Sequence, residues 1–342
     1  MAQINKPDEY FNTVLYTGNA TARSITGVGF QPDWVWIKGR TTAYNNTLFD
    51  AIRGATKRLY SNGTDAESTQ TATLTSFDSD GFSLGNNASV NSATSTFVAW
   101  NWLASNTTAS NTDGSITSTV SANTTSGFSI VSYTGTGANA TVGHGLGAVP
   151  KMIIVKDRSA VKNWTVYHIG VGNDKDILLD VTNTENTSTA WNNTTPTSSV
   201  FSIGTLGNVN TSSNNYIAYC FAEKKGFSKF GSYTGNGNAD GTFVYTGFKP
   251  AFYMIKRTDS TGSWIIKDNK RPGYNVNGSY LVANDSLAES TGSGNVASDE
   301  LSNGFKIRGT SSSLNTSGGT YIYMAFAENP LVGTNNIPAT AR

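Results

Sequence analysis

A handful of short patterns in the chain carry residue types suited to chemistry. Gly81-Phe82-Ser83-Leu84-Gly85 matches the Gly-x-Ser-x-Gly pattern of a nucleophile elbow, in which a tight strand-to-helix turn exposes a serine hydroxyl. Here the segment alternates like a strand and no helical pattern follows it. Two later copies of the segment carry Val200 and Lys306 within the motif. A structural strand is therefore expected. His144 and His168 are the only histidines. A general base or a metal ligand needs partners at defined spacing, and neither histidine has them in sequence. His144 lies in a Gly-His-Gly-Leu-Gly turn, and both histidines are expected at polar surface or rim positions. Asp78-Ser-Asp80-Gly81 opens like a calcium loop, but the twelfth position, where a bidentate Glu is needed, is Ser89. No catalytic residue, metal or cofactor is expected from these patterns. Aromatic rings in Asn- and Gly-rich loops can stack on sugar rings, and Tyr44, Tyr60, Trp191 and Tyr274 are the candidates for glycan contact.

The elements that would position these residues repeat. Gly29-Phe-Gln-Pro32-Asp-Trp34-Val-Trp36-Ile37-Lys38 recurs as Gly147-Ala-Val-Pro150-Lys-Met152-Ile-Ile154-Val155-Lys156 and as Gly247-Phe-Lys-Pro250-Ala-Phe252-Tyr-Met254-Ile255-Lys256. A Tyr-Thr-Gly stands 13 or 14 residues before each opening glycine, at Tyr16, Tyr133 and Tyr233. After each lysine comes a short apolar run ending in Asp50, His168 or Asp268. Each copy closes on an aromatic strand (Phe97–Trp102, Tyr216–Phe221, Tyr321–Phe326), with Asn91, Asn210 or Asn315 six residues ahead of it.

Short β-branched or aromatic runs bounded by Gly, Asn, Asp and Ser are strand-and-turn patterns. The expected fold is all-β, with three tandem β-sandwich, jelly-roll-like repeats of about 100 residues and little helix. The repeats span 1–105, 106–225 and 226–331, with a tail at 332–342. Residues 106–126 form a Ser/Thr/Asn-rich lead-in with a strand at 115–121. Trp34 and Trp36, at i and i+2, share one face of a strand whose other face is also apolar, so burial on both faces or at an interface is expected. The three repeats pack either about a pseudo-threefold axis or as a short rod.

Composition narrows the function classes. A net charge of +1 with 14% charged residues gives no basic face for phosphates, so no nucleic-acid partner is expected. No run approaches the roughly 18 apolar residues of a membrane span. The single cysteine, Cys220, cannot form an intrachain disulfide. Residues 1–11 offer no signal-peptide core. A weakly charged Ser/Thr/Asn/Gly-rich chain without an export signal fits assembly in a host cytoplasm into a particle released by lysis.

With these residues in view, the chain resembles a family of repeat-built structural proteins of marine tailed phages. The resemblance rests on Asp8-Glu-Tyr-Phe-Asn-Thr-Val-Leu-Tyr-Thr-Gly18, Gly27-Val-Gly-Phe-Gln-Pro-Asp-Trp-Val-Trp-Ile-Lys38, Leu48-Phe-Asp-Ala-Ile-Arg-Gly-Ala-Thr-Lys57 and Gly318-Gly-Thr-Tyr-Ile-Tyr-Met-Ala-Phe-Ala-Glu-Asn-Pro330, among other stretches. It implies a non-enzymatic virion protein, a head decoration or appendage on the virion surface that contacts other capsid or tail proteins. Homo-oligomerisation, as a trimer, is expected by analogy with such particles. Attachment is expected to fall to residues 1–10 and 331–342 or to a module face. The alternatives are a tail-fibre module binding host surface glycan, and a polysaccharide depolymerase, for which no pair of carboxylates unique to one repeat stands out.

Overall fold

A computed structural model describes residues 3–333 and 338–340; the remaining residues of the two expected attachment segments lie outside that description. The chain is all-β. Among the described residues the only α-helices are single turns, Ala88–Asn91 and Gly207–Asn210. None is long and apolar enough to cross a membrane.

Each copy of the repeated pattern builds one large antiparallel sheet with the same internal order. In the first, the opening strand Phe11–Thr17 pairs with the closing strand Thr96–Trp102, which pairs with the lysine strand Trp34–Gly39, followed by Thr47–Asp50, Lys57–Tyr60 and Ser68–Thr69. The second runs Phe128–Thr134, Asn215–Ala222, Pro150–Asp157, Thr165–His168, Lys175–Leu178, Asn186–Thr187, and adds Ser118–Asn123 and Ala109–Asn111 outside its opening strand. The lead-in strand thus starts at Ser118, with Ile116 bridged to Val142. The third runs Ser228–Thr234, Thr320–Pro330, Phe248–Arg257, Ile265–Asp268, Leu281–Val282. Opening and closing strands share one register, with Tyr16 opposite Phe97, Tyr133 opposite Tyr216 and Tyr233 opposite Tyr321.

A smaller sheet covers one face of each large one. It is made of Arg23–Thr26, Gly81–Leu84 and Leu74–Asp78 in the first copy, Ala140–Gly143 and Val200–Ile203 in the second, and Phe243–Tyr245, Gly304–Ile307 and Ser298–Leu301 in the third. These sandwiches pair a large sheet with a small one. They therefore depart from the two balanced sheets of a jelly roll.

The lysine strands are apolar throughout because they serve two cores. Val35 and Ile37 face the module's own sandwich with Phe82, Val90 and Phe97. Trp34 and Trp36 face the opposite way, into a second core shared with Met152, Ile154, Tyr219, Phe221, Phe252, Met254 and Phe326. The same split places Ile153 and Val155 in the second module's core and Tyr253 and Ile255 in the third's. In the shared core, ring contacts run in a closed circuit. Trp34 lies 4.4 Å from Tyr219, Phe221 6.0 Å from Phe326, and Phe326 5.7 Å from Trp102 (ring centroids). The modules therefore pack about a pseudo-threefold axis, and a rod is excluded.

The repeated landmarks brace each sandwich. The hydroxyls of Tyr16, Tyr133 and Tyr233 donate to the carbonyls of Val90, Val209 and Leu314 at 2.7, 2.7 and 2.8 Å. The following glycines leave no room for a side chain: a Cβ on Gly18, Gly135 or Gly235 would lie 2.1, 2.3 or 2.4 Å from a backbone oxygen. The amides of Asn91, Asn210 and Asn315 donate to the carbonyls of Gly85, Gly204 and Gly309.

Candidate functional site

Polar side chains concentrate at the three seams between modules, where loops of one module reach the lysine strand of the next. Lys38, Lys156 and Lys256 are fully buried, yet their ammonium groups find carbonyls across the seams. Lys156 Nζ donates to Thr64 O at 3.0 Å, Lys256 Nζ to Thr182 O at 3.1 Å and Lys38 Nζ to Ser286 O at 2.7 Å. Side-chain N–H groups repeat the pattern one strand away: Trp164 donates to Tyr60 O, Trp264 to Leu178 O, and Asn46 to Val282 O. Each module grips the preceding one, and the third closes the ring on the first.

A second layer of ionic groups follows the same symmetry and then breaks it. Asp50 pairs with Arg53, and its Oδ2 accepts the Tyr219 hydroxyl of the second module at 2.7 Å. Asp268 pairs with Arg271 at 2.6 Å, and its Oδ2 accepts the Trp100 indole N–H of the first module at 3.1 Å. Tyr219 and Trp100 occupy the same place in their closing strands, where the third module has Met324. An aspartate facing Met324 would lack that donor, and there the chain carries His168 with Val171 in place of the arginine. His168 Nε2 donates instead to Tyr323 O at 3.0 Å, while its Nδ1 accepts from Gly170 N. Burial without a counter-charge pushes this imidazole down to about 4, so it is neutral at physiological pH.

Farther out, Glu67 accepts both Arg158 Nε and Nη2, at 2.9 and 3.0 Å, and lies 3.4 Å from Arg53. Burial opposes its ionisation, but the two arginines outweigh that and hold the carboxyl below its usual range. Glu289 stands likewise between Arg40 at 2.6 Å and Arg271 at 3.4 Å. At the third seam Glu185 meets neither arginine; Lys175 reaches it at 2.5 Å.

Several sequence expectations need correction. Both histidines are fully buried, not at the surface or rim, since each imidazole satisfies backbone groups on both ring nitrogens. Trp191 is 1% exposed and packs against Tyr167 in the second module's core, so it offers no face to a glycan. Tyr44 stacks on Phe97 and is half-buried, Tyr60 lies under the Arg58 guanidinium, and Tyr274, at 71% exposure, is the candidate that stands free in solvent. The four rings do not converge. Ser83 Oγ donates to Asp78 Oδ2 within the small sheet, and no elbow forms. Asp80 accepts the N–H groups of Gly27 and Gly29, bracing a turn. Among the described residues no three His, Cys, Asp or Glu side chains gather at metal-binding spacing. Sequence reasoning missed the three seam glutamates. A signal existed, because Glu67 and Glu185 each follow their buried lysine by 29 residues.

A family model described as a domain of unknown function, DUF7483, matches residues 6–330. The chain belongs to this family. The DUF7483 match covers all three modules and the seams between them. No curated protein matches the chain, and no solved structure does.

Proposed function

We propose that the chain is a non-enzymatic virion structural protein of a tailed phage, displayed as a decoration or appendage on the particle. The observation that carries this reading is the welding of three sandwiches into one body around a shared aromatic core, with polar side chains at the seams engaged in holding modules together. Such a body suits a rigid module carried on a larger assembly, with other capsid or tail proteins as partners. One chain already supplies the three-sided body that three subunits would otherwise build, so a homotrimer is not needed to complete it. The test is a cryo-electron microscopy map of the intact virion into which the ring is fitted. Density on the capsid shell supports the decoration reading, and absence of the chain from purified particles overturns it.

A second reading rests on Tyr274, whose exposed ring has Val276 at 55% exposure two residues on. An aromatic ring presented beside a hydrophobic side chain suits stacking on a host surface sugar. Density at the tail tip, with polysaccharide binding lost in Tyr274→Ala, would favour this reading over the first.

A further inference from the structure

The break in symmetry at the seam between the second and third modules leaves a groove of about 380 Å³ bordered by Gly170, Lys175, Glu185, Ser232, Thr258 and Tyr321. At the equivalent seam between the first and second modules, Arg158 fills this place. Its guanidinium takes Glu67 with two N–H groups and approaches Ser132 Oγ at 3.4 Å. The acceptors of that guanidinium are retained where the arginine is lost. Glu185 replaces Glu67 and holds the same backbone contact, its N–H donating to Thr258 O at 3.0 Å as that of Glu67 donates to Arg158 O at 2.9 Å. Ser232 replaces Ser132, four residues into the opening strand. Thr258 stands in place of the arginine itself. Among the described residues Glu185 Oε2 accepts no hydrogen bond, Lys175 being on Oε1, and Ser232 is exposed to solvent.

Among the described residues no strand pairs with the outer edge of the opening strand beside the groove, where Glu223 takes Phe230 N–H and Thr242 Oγ donates to Thr234 O. In the second module that strand is covered by Ser118–Asn123, with Thr119 opposite Ser132. In the third module Ser228–Thr234 is the outermost strand of its sheet. A segment of another protein can therefore lie along this edge and project a side chain into the groove.

We propose that this groove binds the guanidinium of an arginine residue on another protein chain, with Glu185 and Ser232 as its acceptors. The inference is independent of the virion reading, since it rests on internal symmetry alone. A planar fork that donates two parallel N–H bonds to one carboxylate is not reproduced by an ammonium, so the site should discriminate arginine from lysine. A single partly exposed pair is weak, and a millimolar affinity is expected.

The test is a titration followed by amide NMR of the full chain, using a capped Gly-Ser peptide with one central arginine and the same peptide with lysine. The expected result is saturable shifts at Ser232 and Thr258, about fivefold weaker binding for the lysine peptide, and a similar loss in Glu185→Gln. The variant Thr258→Arg, which places a tethered guanidinium in the groove, should lose peptide binding; if it fails to fold, Glu185→Gln carries the comparison. Equal shifts with both peptides, binding indifferent to Glu185→Gln, or no shift at all would overturn the site. Tighter binding of free L-arginine than of the peptide would overturn the protein partner in favour of a small molecule.

Discussion

Lys156 Nζ lies 3.0 Å from the carbonyl oxygen of Thr64, 92 positions earlier in the chain and in the preceding module. The same ammonium donates to Asp157 O and Lys162 O at 3.0 and 2.8 Å, so one buried side chain ties three backbone carbonyls together across a seam. Replacing it by methionine keeps the stem but removes its bonds to the three carbonyls, of which Thr64 O keeps another donor, the Lys162 N–H at 3.0 Å, and each buried acceptor left unpaired costs about 1–3 kcal/mol. Lys156→Met should lower unfolding free energy by about 3 kcal/mol in urea titration with an unchanged slope. A change below about 1 kcal/mol would mean that water reaches the carbonyls and the lysine is dispensable.

The shared core makes a stronger claim about cooperativity. Trp34 is 1% exposed and its ring lies 4.4 Å from both Trp102 of its own module and Tyr219 of the next. Trp34→Ala should cost about 3–5 kcal/mol. It should move a single transition, seen alike by far-ultraviolet dichroism and tryptophan fluorescence. Two resolved transitions, with only the first module weakened, would show that the sandwiches fold as separate units.

How much of this was legible in the sequence differs by level. The strand landmarks were, because Tyr16, Gly18 and Asn91 serve contacts inside one module and so recur with each copy. The expectation that Trp34 and Trp36 lie on a doubly buried strand also follows from their spacing. The choice between ring and rod was not legible, because apolar residues on both strand faces fit either. The histidines were misplaced for a related reason. His168 looks like a polar residue at an aspartate position, and only the seam reveals that Arg53, Asp50 and Tyr219 are replaced together by Val171, His168 and Met324. Trp191 was misplaced because its loop composition is that of an exposed turn, while its ring packs inward on Tyr167.

His168 should make the fold acid-sensitive. Its imidazole is held near 4 when folded and titrates at its ordinary 6.5 when unfolded. Between those values the unfolded chain binds the extra proton, so this contribution is fully present above about pH 6.5 and is lost as pH falls to about 4. The full span amounts to about 3 kcal/mol. Buried His144 acts in the same direction and buried Asp33, raised to about 6, in the opposite one, so the comparison must be between variants. His168→Gln, whose amide can still donate to Tyr323 O, should flatten the pH dependence over that window. Parallel pH profiles for the two proteins would show that the imidazole is hydrated in the folded state.

The third module carries a buried polar network where the first is apolar. Lys267 and Glu300 occupy the positions of Phe49 and Phe77. Lys267 Nζ donates to Asn277 O at 2.6 Å, and Glu300 Oε1 accepts Tyr253 O–H at 2.7 Å and Asn277 Nδ2 at 3.0 Å. Burial drives the lysine amine well down and the charge of Glu300 holds it up, so each group needs the other. Removing one partner of a buried pair leaves an uncompensated charge and costs about 3–5 kcal/mol, whereas removing both does not. Lys267→Met and Glu300→Leu should therefore each be costly. The double variant should fall short of their sum by about 2 kcal/mol or more in a double-mutant cycle. Additive losses would mean that the two charges are solvated independently and that the network is held by Tyr253 and Asn277 alone.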